Sequence, residues 1–232
     1  HFPFELRHSR ELDGPSHRRR LWELLERQGV SATDDPGFKV VYLNQVHANR
    51  IQVLEKSNAL PEGEFLRLPE TDAVLSNRGG LLLMVMTADC LPIFFLARRS
   101  ADDKTPWIGL AHAGWRGTRL DIAAKTLEKL TALSGVEASQ IHIAFGPRIS
   151  AAYYDVGPEF KDYFPAPTFK ILGERMTFDL AGANKLQLLR AGADPTKICD
   201  TGICSYAQGD DFPSFRRERD SASRTLSFIT HF

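Results

Sequence analysis

Three side chains in this sequence have the types and settings to do chemistry together: His47, Cys90 and His112. His47 ends the apolar run that begins at Phe38, and Cys90 lies in the apolar run Leu81 to Phe95. His112 lies in the apolar run Trp107 to Gly117. A thiol and two imidazoles carried into an interior can bind a metal, form a Cys–His nucleophile pair, or be unrelated. Three protein ligands would leave one tetrahedral position open for water, as in a catalytic rather than a structural zinc site. Such a water is acidified towards neutrality and becomes a nucleophile. Without a metal, His112 or His47 would instead draw the proton from Cys90 and make a thiolate. The three residues are distant in the chain, and the H-x-E and P-C-x-x-C pattern of the zinc deaminases is absent. Spacing alone leaves these readings open. The other histidines are terminal (His1, His231), set among charged residues (His8, His17), or alone in a strand pattern (His142).

Neighbouring residues fill out a candidate site. Asp89 adjoins Cys90, and Asp72 ends another predicted strand; either can orient a ligating imidazole, shuttle a proton or cap a turn. Arg116 and Arg148 lie in glycine-bearing turns after apolar strands, where the backbone can approach a ligand and paired guanidinium donors can grip phosphate. Asn44 and Gln45 can read a base or sugar edge, and Trp115, Tyr153 and Tyr154 can stack on one. The expected catalytic set is Cys90, His112, Asp89 and Arg116, and the expected substrate-contacting set is Asn44, Gln45, Asp72 and Arg148.

The elements that must position these residues are mostly apolar strands. Strands are predicted over 38–47, 51–54, 71–76, 140–145, 197–204 and 226–229, with two central apolar runs of strand length at 81–95 and 107–117. The stretch 58–69 reads as a polar loop, and 214–218 as a terminal loop. Helices are predicted over 16–29, 118–133, 153–164 and 178–189. Pro158 interrupts the third of these. The second would start just past Gly117 and point its unpaired N–H groups back at His112, a place for an anion. Strands in runs between solitary helices, without strict alternation, favour an α+β fold over a doubly wound sheet.

Composition narrows the class. The chain has 232 residues, with 29 acids balanced by 29 bases. Neutral charge gives no electrostatic case for nucleic acid or an anionic membrane. The short basic runs Arg18–Arg20 and Arg216–Arg217 read as solvated faces. No apolar run approaches the roughly 20 residues needed to span a bilayer, and residues 1–10 lack a signal-peptide pattern. Three cysteines are too few and too odd for a disulfide framework, so a reducing cytoplasm is expected. A single domain over 1–232 is expected, and nothing in the sequence sets an oligomeric state.

Taken in order, several segments resemble the motifs of one family. Asn44-Gln45-Val46-His47 resembles N-Q-V-H, Thr71-Asp72-Ala73 resembles T-D-A, and Thr87 to Pro92 resembles T-A-D-C-x-P. His112 to Gly117 is similar to H-A-G-W-R-G. Gly146 to Ser150 with Tyr154 to Gly157, and Ser214 to Glu218, follow the later blocks. These are motifs of the YfiH-like or laccase-domain proteins, also called polyphenol oxidoreductases and purine nucleoside phosphorylases, and the likeness covers about residues 38–229. The resemblance implies a four-layer α/β/β/α sandwich with zinc held at His47, Cys90 and His112. It implies phosphorolysis of adenosine, inosine, guanosine or methylthioadenosine, and deamination of adenosine, so purine nucleoside and phosphate are the expected partners. Some bacterial members are linked to editing of peptidoglycan precursors. Copper is the less favoured metal, because multicopper oxidation draws on H-x-H pairs and this chain has none. The departures are a charged N-terminal helix in place of the family's G-G-V-S and L-N-L-G segments, Ser205 for Thr, and Ala222-Ser223-Arg224 for T-G-R.

Overall fold

The computed structural model describes residues 2–4, 14–27, 29, 38–209 and 211–231. Its longest apolar runs alternate between two buried faces, which is why they show no polar–apolar alternation. In strand β2 (Lys39–Leu43), Val40 and Tyr42 face helix α1 (Pro15–Arg27), which buries Leu21 and Leu25 there. Val41 and Leu43 face the opposite way, into a layer shared with a second sheet. Strand β6 (Leu81–Thr87) repeats the pattern: Leu82, Met84 and Met86 face α1, while Leu81, Leu83 and Val85 face the second sheet.

The first sheet has the order β1-β13-β6-β2-β4, with β1 at Phe2–Phe4, β4 at Phe65–Leu68 and β13 at Arg224–His231. The second has the order β12-β9-β7-β8-β5-β3. Its strands are β3 (Ile51–Leu54), β5 (Ala73–Ser76), β7 (Leu91–Ala97), β8 (Trp107–Ala113), β9 (His142–Phe145) and β12 (Ile198–Asp200). Both sheets mix parallel and antiparallel pairs. Ala73, Leu75, Trp107 and Ala111 on the outer face of the second sheet pack with α3 (Ile122–Ser134) and α4 (Leu180–Arg190). The layers are therefore helix, sheet, sheet, helix, and the α+β architecture with mixed sheets is as expected.

Topology brings the candidate residues to one end. β2, β4 and β6 run parallel in the first sheet. Each then crosses to the second sheet, as β2 to β3, β4 to β5 and β6 to β7. The crossings carry Asn44 to Arg50, Pro69 to Asp72, and Ala88 to Cys90. Since β7 is antiparallel to β8, and β8 to β5, the C-terminal end of β8 with His112 meets the same crossings. His112 shares its strand face with Ile108 and Leu110, so it points between the sheets.

Several local expectations differ. Residues 65–68, read as loop, form β4, since Phe65, Leu66 and Leu68 have a parallel partner in β2. The helix expected from 118 begins at Trp115 as α2 (Trp115–Arg119) and breaks at Asp121, whose φ is 60°. The long helix α3 thus starts one turn farther from His112. Residues 153–164 form separate 3-10 turns at Ala151–Tyr153 and Pro158–Asp162 instead of an α-helix, as a proline without an N–H donor favours. Phe178 ends a hairpin of β10 (Phe169–Leu172) and β11 (Arg175–Phe178), and α4 starts only after Asp179, whose side chain caps Gly182 N–H at 2.9 Å. β12 covers Ile198–Asp200 only, and Phe215–Glu218 is a short helix, α5. No helix among the described residues is long and apolar enough to cross a membrane.

Candidate metal centre

A buried carboxylate builds the site from behind. Asp72 is fully enclosed, and both of its oxygens are occupied. Oδ1 accepts from His47 N–H at 3.0 Å and lies 2.8 Å from His112 Nδ1. Oδ2 accepts from Val46 N–H at 3.2 Å and Ala48 N–H at 2.9 Å. Three successive backbone N–H groups folded round one anion form a nest, and this nest holds His47 in the left-handed region, φ 61°. The same carboxylate fixes the tautomer of His112: Nδ1–H donates to Asp72, so Nε2 is left as the outward donor atom. Burial pushes Asp72 up, but the His112 hydrogen bond and charge and the N–H groups of Ala48 and Val46 outweigh it and hold the carboxyl below its usual range.

In front of that support the three donors converge. One ligand atom each from His47, Cys90 and His112 lies within 4.8 Å of the others. Cys90 Sγ is 3.9 Å from His47 Nε2, and the two imidazoles stand edge to face with centroids 4.8 Å apart. Tetrahedral zinc with sulfur at about 2.3 Å and nitrogen at about 2.0–2.1 Å would set its ligands roughly 3.4–3.6 Å apart. The donor set fits such an ion with a small contraction. Gly114 makes room for it: a Cβ there would lie 2.9 Å from both Cys90 Sγ and His47 Cδ2. Burial raises the Cys90 thiol, but the charge and hydrogen bond of His112 and the bond to His47 more than reverse this, taking it from 9.0 down to about 6. Burial lowers His112, and the Cys90 charge with the Asp72 hydrogen bond raises it to about 9. The sulfur is thus readily ionised, as a metal ligand or a nucleophile must be.

The donors lie on a cleft of about 970 Å³. Leu43, Met86, Ile149, Tyr154, Leu180 and Phe215 supply apolar wall, and Arg116, Arg216, Arg219 and Arg224 supply positive charge. Asp89 is the one acid among the described lining residues, and both its oxygens are taken: Ser205 Oγ donates to it at 2.7 Å and Arg216 N–H at 2.6 Å. It ties the Cys90 turn to α5. The Arg116 guanidinium lies 4.5 Å over the Trp115 ring, which stacks on Tyr163. Burial and the nearby Cys90 charge push the Tyr154 hydroxyl far up, so it stays protonated.

Of the expected substrate contacts, Asn44 lines the cleft, and its Oδ1 accepts from Arg67. Gln45 also borders it, but its amide is spent on Met86, donating to the carbonyl at 2.7 Å and accepting from the N–H at 2.8 Å. Asp72 sits behind His112 instead of on the cleft. Arg148 is buried and forks onto Asp200, with the Nη2–Oδ2 bond at 2.7 Å, away from the cleft lining. Of the tyrosines, Tyr154 lines the cleft, while Tyr153 stacks on Tyr206. The Arg216–Arg217 run is no solvated face. Arg216 lines the cleft, and Arg217 donates to the carbonyls of Ser205, Tyr206 and Phe212 and pairs with Glu218. Arg219, in the turn between α5 and β13, and Arg224, the first residue of β13, also line the cleft, and sequence reasoning gave neither a site role.

Fold and site together define a mixed α+β sandwich with a His–Cys–His donor set at the mouth of an arginine-lined cleft. The chain belongs to the family described as multi-copper polyphenol oxidoreductase laccase, whose model matches residues 23–231. It is 32% identical over 227 residues to the purine nucleoside phosphorylase YlmD of Geobacillus stearothermophilus, covering 94% of this chain and 78% of that protein. The crystal structure of YlmD from that organism superposes with a TM-score of 0.76 at 31% identity, covering 93% of this chain and 78% of the other. An adenosine deaminase, RL5, from an unidentified prokaryote is 29% identical over 200 residues, covering 82% of this chain and 74% of that protein.

Proposed function

We propose that the protein is a zinc-dependent purine nucleoside enzyme that splits nucleosides with phosphate and deaminates adenosine. The carrying observation is the placement of the His47–Cys90–His112 donors beside both an apolar wall and several arginines in one cleft. The names of the similar proteins support the same reading. When bound, zinc supplies a Lewis acid that polarises whatever oxygen or nitrogen takes its fourth position.

The protein's own residues do the rest. Asp72 holds His112 in one tautomer, and Gly114 lets the three donors close together. The apolar wall, with Tyr154 and Phe215, takes the flat purine and excludes water from its faces. Arg116, braced on Trp115, holds the phosphate. In phosphorolysis a phosphate oxygen bonds to C1′ of the ribose, the C1′–N9 bond breaks, and the base leaves with the electron pair and takes up a proton. In deamination water adds to C6 and ammonia leaves. The gripping role expected of Arg148 passes to Arg116, since Arg148 is committed to Asp200.

The test is incubation of metal-analysed protein with adenosine, with and without phosphate. Adenine with ribose 1-phosphate in the first case, and inosine in both, are expected; neither product from zinc-loaded protein would refute the proposal. The lowered thiol of Cys90 favours a second reading, a metal-free Cys–His hydrolase. That enzyme would lose activity to alkylation and keep it in chelator, whereas the zinc enzyme is lost to both. For phenol oxidation, the described residues gather one group of three donors, and multicopper chemistry needs more than one such site.

A further inference from the structure

The backbone at Arg219 is strained, and its side chain lines the cleft. Its φ of 56° and ψ of −132° fall outside the left-handed helical well, in territory that residues with a Cβ rarely enter. Such strain persists only where surrounding structure over-determines it. Here it does. Upstream, Ser214 Oγ accepts from Arg217 N–H and Glu218 Oε1 accepts from Ser214 N–H, closing α5 on itself. Arg216 N–H is pinned to Asp89, beside Cys90, and Arg217 is laced into the 205–212 loop. Downstream, Ala222 N–H returns to the Arg219 carbonyl, and Thr225 enters β13 opposite Thr87. Among the described residues the Arg219 guanidinium makes no hydrogen bond or ion pair. A fixed strap thus holds an unpaired cation at a strained position on the cleft that carries the three metal donors.

We infer that Arg219 is a phosphate-positioning residue, and that the strap from Ser214 to Ser221 sets the cleft's affinity for its anionic co-substrate. The inference rests on the phosphorolysis reading but is tested apart from it. The strap fixes the Arg219 backbone at the cleft, so phosphate binding has only the side chain left to order. Arg219 touches the phosphate alone; the purine and the metal donors are served by other residues.

The experiment compares native protein with Arg219→Ala, Arg219→Lys and Arg219→Gly. Losing one charge-assisted contact should raise the KM for phosphate about 10- to 100-fold. The KM for nucleoside and the phosphate-independent deamination rate should stay within about twofold of native. Arg219→Lys should recover part of the phosphate affinity. Arg219→Gly relieves the backbone and should melt no lower than native while binding phosphate as poorly as Arg219→Ala. Calorimetric titration with inorganic phosphate alone separates the two claims. If native protein binds phosphate, Arg219→Ala loses that binding and neither cleaves nucleoside, the reaction is misassigned and the residue's role stands. Unchanged phosphate binding in Arg219→Ala, equal loss of deamination, or no phosphate binding by native protein each overturns the inference.

Discussion

Replacing Asp72 with Asn tests the support behind the metal donors. The change keeps the shape of the side chain and removes its charge. An Asn oxygen can still accept from His47 N–H and His112 Nδ1–H, but its NH2 then faces the N–H groups of Val46 and Ala48. Two part-buried donors lose their acceptor, at the low end of about 1–3 kcal/mol each, or roughly 2 kcal/mol together. At about 2–4 °C per kcal/mol for a chain of this size, the melting temperature should fall by about 4–8 °C. The turn at His47 then keeps only one of its three N–H bonds to residue 72, and His112 loses a charged partner, so zinc affinity should fall about 10- to 100-fold. Calorimetric melting of the metal-free protein and competition with a chromophoric chelator read the two effects separately. An Asp72→Asn protein that melts within about 2 °C of native and binds zinc equally well would refute the nest argument.

Further predictions follow from the same geometry. Gly114→Ala puts a Cβ 2.9 Å from Cys90 Sγ and His47 Cδ2; overpacking of about 1–3 kcal/mol should weaken zinc binding while circular dichroism stays native, and undiminished affinity would show that the donors are not closed on one ion. In chelator-stripped protein, Cys90 should be alkylated with a rate that rises through about pH 6 and is flat at higher pH, since the lowered thiol is already ionised there; a midpoint at 9.0 or above would mean that burial wins over the two imidazoles. Arg148→Ala should destabilise the protein by removing the buried guanidinium fork on Asp200 while the KM for phosphate stays at the native value; a large rise in that KM would restore the role expected from sequence.

Much of the fold was legible because its central strands are apolar on both faces. Val40 to Leu43 and Leu81 to Met86 cannot be solvated on either side, so buried strands were the only reading. The donors His47, Cys90 and His112 were legible as types in apolar settings, but their convergence was implied only by the family resemblance and not by spacing, because it arises from three parallel crossings between two sheets. Strand pairing of that kind is set by tertiary contacts, and no local pattern encodes it. The same limit hid β4: Arg67 and the flanking Pro61, Gly63 and Pro69 outweighed three apolar residues that only β2 makes into a strand. Asp121 shows a different failure. The spacing of Leu120, Ile122, Ala123 and Thr126 suits one helix, yet the backbone at Asp121 turns left-handed and splits it. Gln45 and Arg148 were judged by what their side chains can bind, and the structure spends both on the protein itself. Arg216 and Arg217 were read as solvated from their charge, although the segment Ser214 to Glu218 that holds them also resembles a family motif; charge alone does not distinguish a solvated arginine from one laced to carbonyl groups.

The central claim is that His47, Cys90 and His112 hold one zinc ion with a face open to the cleft. X-ray absorption at the zinc edge of the purified protein measures this directly. The account predicts one sulfur at about 2.3 Å and nitrogen or oxygen ligands at about 2.0–2.1 Å, with the sulfur lost in Cys90→Ser. A zinc shell without sulfur, or a sulfur that survives that substitution, would contradict it.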